Sequence, residues 1–307
     1  MSGIALSRRG AMLLTGSMPM LLAVPALAQQ PAAEKPSFQG KTHAIRLGGF
    51  ELVSVLAGGG RNPDPIGTFG LDVPPETFKA VSEANFIASD WTAGSYTPVL
   101  LRGPEGLALF DTGMDPANTV AALALAGVKP EDISHVVLTH MHGDHIGGLM
   151  QDGAPVFADA QLVVPRAENE YWAANPNDAY KAKVAPLIGK ARQIGDGDEV
   201  LPGVRAEAAP GHTPGHTTYL IESEGQKLLL TGDSFNHYVW SVQHPEWHVR
   251  FDIDKVQAAE TRRRVLVRLA NERIPFVGYH MPFPALGYIA PNSAGSWRYV
   301  PATYQFS

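Results

Sequence analysis

Apolar and polar positions along this chain fall into short runs, and many of the runs come in pairs. AIRLGGFELVSVL (44–56) reads as two strands joined at Gly48-Gly49, a glycine-glycine hairpin signal. TPVLLRGPEGLALFDTG (97–113) repeats the idea and turns at Gly103-Pro104-Glu105-Gly106, and TTYLIESEGQKLLLTGD (217–233) turns at Glu224-Gly225. SHVVLTH, QLVVP and IPFVGYH are shorter apolar strands. Elsewhere the period changes. PANTVAALALAGVKPED (116–132) predicts a helix that is Ala-rich, stopped at Gly127 and followed by Pro130, and DKVQAAETRRRVLVRLANE (254–272) is the clearest helix. Residues 167–191 are helical in composition with a break at Asn175-Pro176-Asn177. Hairpins interleaved with helices predict an α/β fold of two mixed sheets with helices outside. A dinucleotide-binding order is disfavoured: no G-x-G-x-x-G follows a strand, and the glycines at 58–60 are expected to open a Pro-rich loop.

The amino terminus departs from this pattern. Arg8 and Arg9 precede an apolar stretch from Ala11 to Pro25 and then Ala26-Leu27-Ala28, the order of a cleavable signal. The stretch is broken by Thr15, Gly16, Ser17 and Pro19 and is shorter than the roughly 20 residues that span a bilayer, so no stable membrane anchor is expected after cleavage. The paired arginines resemble a twin-arginine signal, which exports folded protein. Residues 1–28 are therefore expected to be a leader, 29–42 a flexible lead-in and 43–307 the folded domain, in the periplasm or secreted.

Composition narrows the chemistry. The chain has 307 residues, 45% hydrophobic, enough for a large core. A net charge of -6 without a sustained Lys/Arg run argues against nucleic acid and leaves a small molecule as the expected partner. The absence of cysteine means that any metal must be held by nitrogen and oxygen.

LTHMHGDHIGG (138–148) supplies such ligands, straight after an apolar strand and just before two glycines. Side chains two apart in extended backbone share a side, so His140 and His142 can converge on one ion. Asp144 and His145 follow the turn at Gly143 and can face a neighbouring ion. Three further strand ends carry ligand-type residues: His212 in PGHTPGH, Asp233 in LTGDS and His280 in VGYH. His140, His142 and His212 can fill one site, Asp144, His145 and His280 a second, with Asp233 as the bridging carboxylate. His216 is either a supporting partner of this site or a turn stabiliser, and Asp111 either orients a ligand histidine or closes an Asx-turn. His43, His135, His244 and His248 are read as ordinary solvated or hydrogen-bonded histidines.

THMHGDH, GHTPGHT, TGD and the strand-end His280 resemble the metallo-β-lactamase-fold hydrolases over nearly all of the mature chain. HMHGDHIGGLM, GHTPGHTTYLIESEGQKLLLTGD, HMPFPALGYI and WRYVPATY are most similar to the methyl parathion hydrolase group. The resemblance implies an αβ/βα four-layer sandwich, a dinuclear centre with the ligand division above, and often a homodimer. It places Trp172 in a leaving-group pocket, although a tryptophan on a helix also suits the core. Two departures bear on substrate. The loop after Gly113 is shorter than in that group and lacks a pocket phenylalanine, and Asn236 stands where the group has leucine and where quorum-quenching lactonases carry a nearby tyrosine. Tyr238 and Trp240 are close in sequence and Tyr238 is expected to line the pocket.

Two cations held by these ligands would bring the pKa of a bridging water down from about 15.7 toward neutrality, giving a hydroxide that attacks a carbonyl carbon or phosphorus. Asp233 would orient it and shuttle its proton. The expected activity is hydrolysis of a lactone, an aryl ester or an organophosphate triester, with zinc as the default ion and manganese, cobalt or iron also accepted. The competing readings are an iron-dependent redox member of the same fold and, less favoured because cysteine is absent, a class B β-lactamase.

Overall fold

The computed structural model describes residues 39–292 and 295–302. The expected leader and most of the expected lead-in lie outside the described residues. Strand structure begins at Lys41, two positions before the expected start of the domain, because Lys41 and Thr42 extend the ladder opposite Leu56 and Val55.

Two seven-stranded sheets form the body. The first runs in the order Lys41–Leu47, Phe50–Leu56, Val99–Gly103, Gly106–Phe110, Ile133–Val137, Gln161–Pro165, Arg192–Ile194. It is antiparallel through Gly106–Phe110 and parallel beyond. The second runs Glu199–Leu201, Val204–Ala208, Thr217–Ser223, Gln226–Gly232, Phe276–Gly278, Leu286–Pro291, Trp297–Pro301. It is antiparallel except where Gln226–Gly232 meets Phe276–Gly278. All three expected hairpins form, and the helices expected over 116–132 and 254–272 run over Pro116–Leu125 and Lys255–Glu272.

Strand periodicity explains the layers. In the first sheet Leu101, Ala108, Phe110, Val137 and Val163 face the second sheet and share a core with Val204, Ala206, Tyr219 and Ile221. Their neighbours Leu100, Leu109, Val136 and Val164 face the other way and pack with Ala122, Leu123, Trp172 and Tyr180 of the helices. Helix Lys255–Glu272 adds Val265, Leu266 and Leu269 to the core of the second sheet. A sheet buried on both faces needs near-continuous apolar strands, which is why VVL, LVV and LLL occur where they do. The result is the four-layer sandwich of two mixed sheets flanked by helices.

One expectation is corrected. The glycines at 58–60 do not open a loop; Gly58–Asn62 is a strand paired antiparallel with Thr92–Tyr96. A Cβ on Gly59 would come within 2.4 Å of the Gly94 carbonyl oxygen, so glycine lets the two backbones pair this closely. This two-stranded ribbon brings Thr92, Ser95 and Tyr96 to the same end of the molecule as the histidine motif. Among the described residues no helix is long and apolar enough to cross a membrane.

Candidate metal centre

Each ligand-type residue lies just beyond the end of a core strand. Val137 is followed by a short loop carrying His140 and His142, and the one-turn helix Gly143–Ile146 presents Asp144 and His145. Strand Val204–Ala208 leads to His212, Gln226–Gly232 to Asp233, and Phe276–Gly278 to His280. Rigid strands thus hold the backbone, and short turns aim the side chains. Two glycines permit the crowding: a Cβ on Gly147 would lie 2.0 Å from the Met114 carbonyl oxygen, and one on Gly215 2.0 Å from the Glu168 amide nitrogen.

The side chains converge as two groups that share a carboxylate. His140 Nε2, His142 Nδ1 and His212 Nε2 stand 3.2, 2.9 and 3.1 Å apart. Asp144, His145 and His280 form the second group, with Asp144 Oδ2 at 3.7 Å from His145 Nε2 and 3.4 Å from His280 Nε2. Asp233 reaches both, its Oδ2 at 3.2 Å from His212 Nε2 and 3.1 Å from His280 Nε2, its Oδ1 at 3.2 Å from His145 Nε2.

The outward partners of the imidazoles fix which nitrogen carries hydrogen. His280 Nδ1 donates to the Ser95 carbonyl, His212 Nδ1 to Asp252 and His145 Nδ1 to Asp111, each at 2.8 Å. Thr139 gives its hydroxyl hydrogen to Asp111 and can then accept from His140 Nδ1 at 3.0 Å. In the neutral form of all four rings Nε2 is then a lone pair aimed inward. Lone pairs at such distances repel unless a cation lies among them, and a tetrahedral ion with bonds of 2.0–2.1 Å separates its nitrogen ligands by about 3.3 Å. His145 Nε2 and Asp233 Oδ1 are moreover buried without a hydrogen-bond partner among the described residues. The donor set therefore fits two divalent cations with Asp233 between them.

Electrostatics agree. Burial and the neighbouring histidines hold His140 and His142 well below the ordinary imidazole range, so both are neutral donors. Burial opposes charge on His212 too, but Asp233 and Asp252 outweigh it and push the ring up to about 9. Burial works against ionisation of Asp233, yet His280, His145 and His212 hold it well below the usual carboxylate range. This cluster favours positive charge at its centre.

Several supporting residues have definite places. Asp111, in a left-handed conformation (φ 59°), accepts from Thr139 N, Thr139 Oγ1 and His145 Nδ1, so it orients ligand-type histidines. His216 accepts the Asp233 backbone N–H on Nε2 at 3.0 Å and gives its Nδ1 hydrogen to the Ala209 carbonyl, bracing the turn that carries Asp233. Asn236 donates Nδ2 to Asp233 Oδ2 at 2.9 Å and lines the cleft above the cluster. His43, His135, His244 and His248 join neither ligand group.

Two pocket assignments are corrected. Trp172 is buried, its Nε1 donating to Glu168 Oε1 at 2.6 Å and its ring edge-on to His142 at 5.9 Å; it props His142 from the core side and does not wall the cleft. Tyr238 faces a separate depression with Gln243, Arg298 and Tyr299, because the adjacent His237 takes the cleft-facing position.

Sequence reasoning missed Asp252, Glu168 and His237. Asp252 links His212 to the buried Arg262 guanidinium at 2.7 Å, which in turn donates to the carbonyls of Ser234, Pro245 and Trp247. Glu168 accepts from Met141 N, Gly215 N, Thr213 Oγ1 and Trp172 Nε1, clasping the two histidine loops together. A lone acid on an apolar helix face was the available signal for Glu168; nothing local marked the other two.

A cleft of about 530 Å³ opens over Asp144, Asp233 and His280. Phe69, Tyr96, Met114 and Phe251 give it largely apolar walls. At its lining Arg61 lies over the Trp91 ring at 4.3 Å and Arg250 over Phe251 at 5.2 Å.

Comparison with known proteins meets this geometry. The model of the Metallo-beta-lactamase superfamily matches residues 91–276. An N-acyl homoserine lactonase of Bacillus cereus is 40% identical over 158 residues, 43% of this chain and 60% of that protein, and one of a Bacillus sp is 41% identical over 163 residues, 44% and 62%. The chain thus spans about three fifths of the length of these curated relatives. Among solved structures, AidC, a dizinc quorum-quenching lactonase in complex with a product, superposes with a TM-score of 0.78 at 25% identity, covering 86% of this chain and 98% of that one. The hydrolase AbOPH shares the fold with a TM-score of 0.79 at 22% identity, covering 86% and 98%.

Proposed function

The chain belongs to the metallo-beta-lactamase superfamily, and from that premise we propose that it is a metal-dependent hydrolase whose substrates are lactones. The observation that carries this reading is the shared Asp233: two groups of inward lone pairs meet on one carboxylate at the floor of an apolar-walled cleft. The kinship with N-acyl homoserine lactonases supports the lactone in particular.

His140, His142 and His212 would hold one divalent cation, Asp144, His145 and His280 the other, with Asp233 common to both. Such ions, zinc on our reading, supply Lewis acidity toward a carbonyl oxygen and make water more acidic. The chain's own residues do the positioning. Asn236 pins Asp233 Oδ2 from the cleft side, and His216 pins its backbone, so the carboxylate has one orientation. Asp111, Asp252 and the Ser95 carbonyl hold the imidazoles in the tautomers that leave Nε2 free. Phe69, Met114 and Phe251 keep water off the walls and offer apolar surface to a substituent on the ring. Hydrolysis of aryl esters and phosphotriesters, expected from the likeness to methyl parathion hydrolases, would use the same floor.

The test is a panel of γ-lactones, aryl esters and phosphotriesters assayed on metal-loaded protein, with EDTA as control and metal analysis alongside. Lactone turnover that EDTA abolishes is the expected result. A protein that carries two metals and opens no lactone refutes the reading, and one that carries redox-active iron favours the redox alternative. The Arg8-Arg9 pattern leads us to place the mature enzyme in the periplasm or outside the cell, which fractionation tests.

A further inference from the structure

His237 is buried against the aromatic cluster, stacked on Trp240 at 3.9 Å, yet it also lines the cleft. Its Nδ1 faces two backbone N–H groups, those of Val239 at 3.2 Å and Trp240 at 3.3 Å. Backbone N–H groups only donate, so Nδ1 must accept, and in the neutral ring the hydrogen resides on Nε2. Nε2 lies 3.3 Å from Thr92 Oγ1, which therefore accepts from it. The hydroxyl hydrogen of Thr92 is then free to donate. The acceptor it meets among the described residues is the Ala93 carbonyl at 3.5 Å, beyond the 2.5–3.0 Å of a good O–H···O bond.

Two of the other polar side chains on this wall are already engaged. Asn62 gives its amide to Thr68 Oγ1 and accepts from Asp64 N, and Asn236 is tied to Asp233. Thr92 also shares a strand and a strand face with Tyr96, four residues on, whose ring abuts His280. Thr92 thus sits up the wall from the metal floor, where a substituent on the substrate passes and not the reacting ring.

We propose that Thr92, with its hydroxyl oriented by His237, is a specificity-determining donor that binds a carbonyl oxygen in the side chain of the lactone, as in an acylamido group. This rests on the lactonase reading and adds to it the feature that separates acylated lactones from plain alkyl lactones. A donor held in one orientation on the wall disfavours a substrate that leaves it unpaired.

The experiment compares kcat/KM for an N-acyl homoserine lactone with that for a γ-alkyl lactone of equal chain length, in the parent, Thr92→Val and Thr92→Ser. Valine keeps the shape and removes the hydroxyl; serine keeps the hydroxyl. The acylamido-to-alkyl ratio is expected to fall about five- to tenfold in Thr92→Val and to be retained in Thr92→Ser. Nitrogen-15 imidazole shifts of the parent, with His237→Gln for assignment, are expected to show His237 as the Nε2-protonated tautomer at neutral pH. An unchanged ratio in Thr92→Val, equal loss of both activities, or the Nδ1-protonated tautomer overturns the proposal alone. A metal-loaded parent inert toward both lactones overturns the lactonase reading, and the proposal with it.

Discussion

Single atoms decide most of what this site can do. Asp111 accepts three hydrogen bonds, one of them from His145 Nδ1 at 2.8 Å, and only a carboxylate can accept all three. Asp111→Asn puts a donor among these donors and releases the His145 tautomer. Metal affinity is expected to drop about 10- to 100-fold, read by competition with a chelator, in a protein of unchanged secondary structure; an unaltered affinity would remove Asp111 from the site. Asp233→Asn should lower kcat sharply, because the amide cannot serve both ligand groups, and full activity with full metal content would disprove the shared role. The seven ligand-type residues were legible because H-x-H-x-D-H followed by strand-end His, Asp and His is a pattern in one dimension. Cleft residues were not. His237 and Tyr238 differ by one position, and which of them faces the cleft depends on Trp240 and Thr92, which no local signal ties to them. Trp172 stands four residues after Glu168 on one helix, a spacing that allows their contact but does not show that the acid is buried.

Loops and strands show the same division between local and distant causes. Paired apolar runs marked the three hairpins, and periodicity with a stop signal marked the helices Pro116–Leu125 and Lys255–Glu272, since turn glycines and periodicity act over short range. The ribbon of Gly58–Asn62 with Thr92–Tyr96 escaped notice because its partners are separated by helix Pro75–Ala84 and its glycine-rich strand carries no apolar alternation. Glu168 illustrates how elements are coupled. It lies on helix Arg166–Ala174 and accepts from the His140 loop through Met141 N and from the His212 loop through Gly215 N and Thr213 Oγ1. Glu168→Ala leaves these buried donors, and Trp172 Nε1, without an acceptor. At about 1–3 kcal/mol for each unpaired group, a loss of at least 3 kcal/mol is expected. Thermal unfolding should shift down by roughly 6 °C or more, at about 2–4 °C per kcal/mol for a domain of this size. A shift under a degree would mean that the clasp contributes nothing.

At the scale of the whole molecule, the floor of the cleft joins the two sheets: the motif after Ile133–Val137 comes from one, and His212, Asp233 and His280 from the other. Packing that close buries titratable groups, and burial links stability to pH. Burial pushes His237 down to about 3 from an ordinary 6.5. Between those values the unfolded chain holds a proton on this residue that the native chain does not. Stability therefore rises with pH across that window, is fully present above about 6.5, and is lost as pH falls toward 3, at about 1.4 kcal/mol per pH unit. His216 follows the same sign, at about 3, but its ring braces the Asp233 turn, so its share is entangled with the ligand cluster. His237 gives the cleaner measurement. Denaturant unfolding of the parent and of His237→Gln, at matched metal content between pH 6 and pH 4, should yield two lines that differ in slope by one proton, the variant's being flatter. Subtracting one profile from the other cancels the acids, the remaining histidines and the metal ligands common to both, so parallel lines would show that His237 is protonated in the native state and that its neutral tautomer is not enforced.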